Sequence, residues 1–352
     1  MKRTFFYAQV ELDTLRNALK SVKFDYWNLW NRLRVMRIRL GTRKSALARV
    51  QAESVAKLLR ELDPTLTVET VLLGCVGDKD KHTSFQDIGN VGVFTKSGEE
   101  ALLNREVDVV VHSLKDLPTV QPEGLVLASV PKREDPRDVL CGLKFDDIRG
   151  NHHKIGTGSI RRAAQLRSFF PDIEIVPVRG NVPPRLRRAV DKNGIDATIL
   201  AAAGLKRLGL FEDSMECLNP QIFPYAVAQG ALGIECRQGD RDILRLLKAI
   251  ECKKSRAETD AERSLMKYLD AGCNLPVGVC STWKNTMLYM KATVTGVDGL
   301  KQIVDYATTC TYGVEEMGKV LAERLLDKGA GELLRACTVN GNKKKVESLL
   351  KA

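Results

Sequence analysis

R-I-R-L-G-T-R-K-S-A-L-A-R-V-Q-A-E-S-V-A-K-L-L-R-E-L-D-P-T-L-T-V-E-T-V-L-L, residues 37–73, reads as strand, helix, strand. Arg37–Leu40 is a short strand. From Ser45 to Leu62 the residues Leu47, Val50, Val55, Leu58, Leu59 and Leu62 recur close to helical spacing, and Leu66–Leu73 returns to a β-rich run. Downstream, Glu99–Arg105 fits a short helix. Val107–His112 is β-branched and almost continuously apolar, as a buried parallel strand requires. This βαβαβ order predicts a doubly wound α/β sheet.

A second set of similar plan follows Pro131 and Pro136. Its strands are Lys154–Thr157, Ile173–Val178 and Ala197–Leu200, and its helices Ser159–Phe169, Arg185–Val190 and Ala201–Leu208. The last third differs, with a charged helix at Ala257–Leu269, antiparallel strands at Leu275–Ser281, Leu288–Thr295 and Ile303–Thr311, and a helix from Glu315 to Leu326. The expected fold is therefore α/β, two doubly wound domains plus a smaller α+β C-terminal domain. Doubly wound sheets bind ligands beyond the carboxyl ends of their strands, so the cleft between the two is the default site.

Composition narrows the partners. The 352 residues are 28% charged and 44% hydrophobic, an ordinary globular balance, and no apolar run approaches the roughly 18 residues of a membrane span. The nine cysteines show no C-x-x-C, and the four histidines no i, i+4 pair, so neither a disulfide framework nor a metal site is expected and a reducing compartment is. The net charge of +11 suggests a polyanion. Residues 1–36 hold +4 of it, through Lys2, Arg3, Arg16, Lys20, Lys23, Arg32 and Arg34 against Glu11, Asp13 and Asp25. Residues 340–352 hold +3, through Lys343, Lys344, Lys345 and Lys351 against Glu347. The body between is close to neutral, so no broad nucleic-acid surface is expected. Residues 1–36 lack the apolar stretch of a secretory signal and are too acidic for a typical transit peptide; an organelle-targeting role and an extension of unknown use both stay open.

Four segments can carry chemistry. In V-V-H-S-L-K-D-L-P (110–118) a buried strand ends near His112 and delivers Lys115 and Asp116 past its carboxyl end, although Asp two residues before Pro is also ordinary turn chemistry. In G-T-G-S-I-R-R (156–162) a strand runs into a helix whose first N–H groups, with Ser159, can bind an anion. Cations are disfavoured in a first helical turn, so Arg161 and Arg162 there imply an anion that compensates them. Arg43, Arg179, Arg185 and Arg207 also follow strands or open helices. Their planar forks suit a ligand with many carboxylates, unless they are surface arginines. Finally, Cys273 sits in D-A-G-C-N-L-P-V (270–277), a loop where a thiolate can carry a covalent group; a free cysteine is more often a small buried hydrophobe.

Taken together, the segments resemble the hydroxymethylbilane synthase family, also called porphobilinogen deaminases. The resemblance covers roughly residues 37–338. It runs in order through R-L-G-T-R-K-S-A-L-A (39–48), G-D-K (77–79), F-T-K (94–96), V-H-S-L-K-D-L-P (111–118), K-R-E-D-P-R-D (132–138), G-S-I-R-R-A-A-Q-L (158–166), R-G-N-V (179–182), A-G-L-K-R-L-G (203–209), A-Q-G-A-L-G-I-E (228–235), A-E-R (261–263) and A-G-C-N-L-P-V (271–277). It implies stepwise deaminating condensation of four porphobilinogen molecules onto a covalent dipyrromethane primer, then hydrolytic release of the linear tetrapyrrole. Asp116 matches the family's catalytic aspartate, and Cys273 the residue that carries the dipyrromethane through a thioether. Lys115, Ser159, Arg161, Arg162 and Arg207 match cofactor-binding positions, and Arg43, Ser45, Arg179 and Arg185 substrate-binding ones.

The resemblance also implies two periplasmic-binding-protein-like domains, with the chain recrossing into the first. The expected division is a 1–36 extension, domain 1 at 37–132 and 220–238, domain 2 at 133–219, and domain 3 at 239–352. A cytoplasmic monomer with no nucleic-acid or membrane partner is expected, a plastid or other organelle being the alternative compartment. A non-catalytic polycarboxylate-binding protein of the same fold is the alternative function. Departures from the family pattern fall at Val91, Ser97-Gly98, Gly158, Pro183-Pro184 and Ala228. They predict a missing basic contact, a weakened helix start, a lost hydroxyl, a stiffened approach to Arg185 and an altered crossover.

Overall fold

The computed structural model describes residues 36–74, 95–150, 152–269, 275–310 and 312–338. Its first sheet is built from β1 (Arg37–Arg43), β2 (Thr67–Leu73), β3 (Val109–Ser113), β4 (Leu125–Ser129) and β10 (Leu232–Arg237), in the order β2-β1-β3-β10-β4. β1 is parallel to β2 and β3, and β10 runs antiparallel between β3 and β4. The expected doubly wound sheet is thus mixed: the strand that returns from the second sheet inserts beside β3.

Helix α1 (Ala46–Leu62) forms where the periodicity predicts it. Ser45 caps its first turn by accepting from the Ala48 N–H at 3.3 Å, and Pro64 follows its end. It buries Ala52, Val55, Ala56 and Leu59 against β1, β2 and β3; each fully buried Val or Leu contributes about 1.5–3 kcal/mol. Helix α2 (Lys96–Leu103) starts three residues earlier than Glu99. Gly98 is no weakness there, because a Cβ at that position would lie 3.0 Å from Val110 Cγ1, so its absence lets the helix lie close on the sheet.

The second sheet repeats the plan with β5 (Asp138–Cys141), β6 (Lys154–Gly156), β7 (Glu174–Val176), β8 (Ala197–Ala201) and β9 (Glu216–Cys217), ordered β7-β6-β8-β5-β9. β6 is parallel to β7 and β8, and β5, the strand entered from the first sheet, is antiparallel to β8. Its helices are α3 (Ile160–Phe169), α4 (Val182–Val190) and α5 (Ala202–Arg207). α4 begins at Val182, ahead of the expected Arg185, and places Pro183 and Pro184 in its first turn, where a missing N–H costs no hydrogen bond. The prolines therefore open the helix that carries Arg185.

Helix α6 (Arg241–Ala249), expected with the third domain, instead packs Ile243 and Leu247 into the core of the first sheet. Its apolar face fits that core, and the chain leaves the first sheet only after it. α7 (Lys253–Tyr268) and α8 (Val314–Asp327) then cover one face of the antiparallel sheet β11 (Val277–Lys284), β12 (Met287–Thr295) and β13 (Gln302–Thr309), and α9 (Ala330–Thr338) adds Leu334 to that core.

Candidate active site

Arg43, Lys115, Asp116, Arg161 and Arg162 stand at or just beyond the carboxyl ends of β1, β3 and β6, Arg179 and Arg185 follow β7, and Arg207 closes α5 after β8. Arg43 closes β1 and Ser45 caps α1. Leu114–Asp116 is a single turn of 3-10 helix after β3, with Lys115 half-buried and Asp116 exposed. Burial pushes the Lys115 ammonium below its ordinary value against the pull of Asp116, and Arg162 and Arg161 of the second sheet lower it further. The two sheets thus bring their cations within electrostatic reach of each other.

Ser159 caps α3 by accepting from the Arg162 N–H at 3.4 Å. Arg161 and Arg162 are only 4% and 5% exposed, so they do not stand free in the cleft. The anion that compensates them is Asp138, the first residue of β5, which is fully buried. Arg162 Nε and Nη2 donate to Asp138 Oδ1 at 3.1 and 2.6 Å, and Arg161 Nη1 lies 2.8 Å from Oδ2. Burial alone would raise the Asp138 carboxyl; the two guanidiniums override it and hold it well below the ordinary carboxylate range. Asp138 lies within K-R-E-D-P-R-D, but sequence reasoning gave it no role, because only the β5–β8 pairing brings it to the start of α3.

Of the remaining arginines, Arg179 is exposed. Arg185 reaches the Ile199 carbonyl at 3.4 Å, and burial, then Arg162, push it down to about 10. Arg207 donates to the Gly230 carbonyl at 2.8 Å and is lowered by burial. A Cβ at Gly158 would lie 2.9 Å from the Val178 carbonyl oxygen, so a serine here would demand a backbone shift as well as add a hydroxyl. Cys273 and Val91 lie outside the described residues, as does the 1–35 part of the extension.

This donor set fits a polycarboxylate pyrrole. Arg161 and Arg162 bind one buried carboxylate, Lys115 and Arg185 lie within electrostatic reach of it, and the Nε atoms of Arg161 and Arg185 are buried without a hydrogen-bond partner. Buried unpaired N–H donors are costly and are satisfied by an arriving acceptor.

Two family models match the chain: "Porphobilinogen deaminase, dipyromethane cofactor binding domain" over residues 38–245 and "Porphobilinogen deaminase, C-terminal domain" over 256–327. The chain belongs to the porphobilinogen deaminase family. Porphobilinogen deaminases of Desulforamulus reducens, Moorella thermoacetica and a Nostoc species are 40%, 40% and 41% identical to it over 301, 311 and 303 residues. These alignments cover 85%, 88% and 84% of this chain and 97%, 99% and 93% of theirs. The methionine-binding protein MetQ aligns at a TM-score of 0.38 and 14% identity over 64% of this chain and 94% of its own. The porphobilinogen deaminase activity is that of a transferase, hydroxymethylbilane synthase, and the first matched module is the one that binds the dipyrromethane cofactor. No helix of the described residues is long and apolar enough to cross a membrane, and none of their His, Cys, Asp or Glu side chains cluster as metal ligands.

Proposed function

We propose that this chain, as a hydroxymethylbilane synthase, condenses four porphobilinogen molecules onto a dipyrromethane carried by Cys273 through a thioether, releasing ammonia each time, and then hydrolyses the tetrapyrrole free. The buried cation excess around Asp138, next to the exposed carboxylate of Asp116, carries this reading. When bound, the dipyrromethane supplies the free pyrrole carbon at which the new carbon–carbon bond forms. Asp116 accepts hydrogen bonds from pyrrole N–H groups, stabilises the positive charge that develops as ammonia leaves, and takes up and returns protons at its carboxylate. Lys115, Ser159, Arg161, Arg162 and Arg207 hold the cofactor's carboxylates, while Arg43, Ser45, Arg179 and Arg185 receive those of the incoming substrate. Binding both partners in one cleft replaces an encounter in solution by a positioned reaction.

The same reading divides the chain into 37–132 with 220–249, 133–219 and the remainder from 250, the boundary after α6 following its packing on the first core. It takes the protein as a cytoplasmic monomer that acts on porphobilinogen and binds neither nucleic acid nor membrane. Intact-protein mass spectrometry tests the central claim. The purified protein is expected to exceed its sequence mass by two condensed pyrroles, an excess lost in Cys273→Ser. An unmodified mass in an active preparation overturns the covalent primer, and an unmodified, inactive protein favours the non-catalytic binder.

A further inference from the structure

Asp138 does more than neutralise two arginines. Gln229, 1% exposed in the crossover that returns the chain to the first sheet, donates from Nε2 to the same Asp138 Oδ1 at 2.9 Å and to the Pro136 carbonyl at 2.8 Å. One carboxylate oxygen is therefore shared by Arg162 and by a residue of the return crossover, while Pro136 belongs to the outgoing one. The adjacent turn is held from the site as well: Arg207 donates to the Gly230 carbonyl, and Arg133 Nε donates to the Gln229 carbonyl at 2.9 Å. Two arginines assigned to ligand carboxylates thus converge on Ala228–Gly230, one through Asp138 and Gln229 and one directly.

That turn has little freedom to absorb a displacement. Ala228 has φ +57°, and Gly230 has φ +87° with the Glu134 carbonyl oxygen 2.4 Å from where a Cβ would stand. Backbone carbonyls fix the arginine heads as well: Arg162 Nη1 donates to the Ile199 carbonyl at 2.8 Å, and Arg161 Nη1, the nitrogen that meets Asp138 Oδ2, donates to the Pro224 carbonyl at 2.6 Å. The buried Arg161 Nε is left unpartnered, a donor that Asp138 does not take. A ligand carboxylate must either take that donor or compete with Asp138 for the others. Competition for the Arg162 donors leaves Asp138 Oδ1 to Gln229, so it is the event that reaches the crossover.

We propose that Asp138 is the positioning residue of the Arg161–Arg162 pair, and that Gln229 couples occupancy of that pair to the interdomain crossover at 226–231. The identity of the ligand rests on the porphobilinogen deaminase reading; the coupling itself rests on the contacts above.

The test compares the full-length, primer-loaded protein with its primer-free Cys273→Ser form, each with and without Gln229→Ala, and adds Asp138→Asn and Asp138→Glu in the protein that keeps Cys273. Hydrogen–deuterium exchange at 226–231 is followed in each, and the fraction carrying the primer is read from the intact mass. The primer is expected to slow exchange at 226–231, and Gln229→Ala is expected to lose more than about half of that difference. Asp138→Asn is expected to carry the primer in less than about a tenth of the molecules, the loss of one charge-assisted hydrogen bond, and Asp138→Glu, which keeps the charge but moves it, to load to an intermediate extent. A difference at 226–231 that survives intact in Gln229→Ala overturns the coupling. A folded Asp138→Asn protein loaded as fully as the unaltered one overturns the positioning role; if Asp138→Asn does not fold, full loading of Asp138→Glu overturns it instead. An unaltered protein that neither carries a primer nor turns over porphobilinogen overturns the activity reading; a primer carried without a difference at 226–231 overturns the coupling only.

Discussion

Glu262 of α7 and Arg133 of the outgoing crossover form a two-point ion pair, Nη1 to Oε1 at 2.8 Å and Nη2 to Oε2 at 3.0 Å, with side-chain exposures of 0% and 5%. The Ala228 N–H donates to Glu262 Oε2 at 2.7 Å, and the Arg133 guanidinium lies 5.1 Å from the centre of the Tyr225 ring. Both crossovers and the helix that leads toward the Cys273 loop therefore meet at one carboxylate. Neither partner can be removed without stranding the other in a low-dielectric setting.

Glu262→Ala is accordingly expected to cost about 3–5 kcal/mol of stability, toward the lower end because Glu258 stays 3.2 Å from Arg133. The double variant Glu262→Leu, Arg133→Met should lose less than the two single losses added together, since the two fully buried charges then go together and only Glu258, 17% exposed, loses a partner. Denaturant midpoints of the unaltered protein, Glu262→Leu, Arg133→Met and the double variant check this; simple additivity would mean that the pair contributes nothing as a pair.

Gly230 and Ala228 make opposite predictions from similar backbone angles. Gly230→Ala drives a methyl into the Glu134 carbonyl and should cost at least about 3 kcal/mol. Ala228→Gly relieves about 1–2 kcal/mol of left-handed strain but gives up roughly 0.8 kcal/mol of methyl burial and about 0.5–1 kcal/mol of chain entropy. These terms nearly cancel, so its melting temperature should move by only a few degrees. This balance explains why alanine is tolerated where the family pattern has glycine.

Asp116 is exposed at the tip of its turn, so Asp116→Ala is expected to leave thermal stability within about 0.5 kcal/mol while abolishing ammonia release from porphobilinogen. Melting curves and an ammonia assay on the same preparation separate the two. Near-normal turnover would remove Asp116 from the reaction.

Acid should expose the Asp138 cluster. Its carboxyl is held below the ordinary value of 3.8, so its contribution is fully present above that pH and is lost as pH falls toward the folded-state value. Melting temperature followed from about pH 6 to about pH 3 should drop steeply below about pH 4. In Asp138→Asn the same limb should be shallower, because that proton is no longer linked to unfolding. Equal slopes in both proteins would show that other carboxyls set the acid limit.

Periodicity and alternation were enough for α1, β2, α3, α7 and the three strands of the last sheet, because each buries one continuous face and the pattern is local. The strands that went unread are short or interrupted. β5 has four residues and opens on Asp138, and β10 carries the buried Glu235, whose Oε2 lies 3.2 Å from His112 Nε2. A charged residue inside a strand removes the apolar signal, and its reason for being there is a partner far along the chain.

The amino-acid sequence by itself determined the order of elements, the two similar α/β units, the family, and the cations gathered at strand ends. It also required an anion opposite Arg161 and Arg162, since two guanidiniums in a first helical turn oppose the helix dipole. Only the tertiary structure decided which anion that is. Asp138 meets them through the antiparallel pairing of β5 with β8, and Gln229 reaches the same oxygen across the interdomain crossover. Long-range pairing of this kind leaves no local periodicity, because hydrogen bonds between residues 91 positions apart are set by how the sheets pack and by no propensity of the segments themselves.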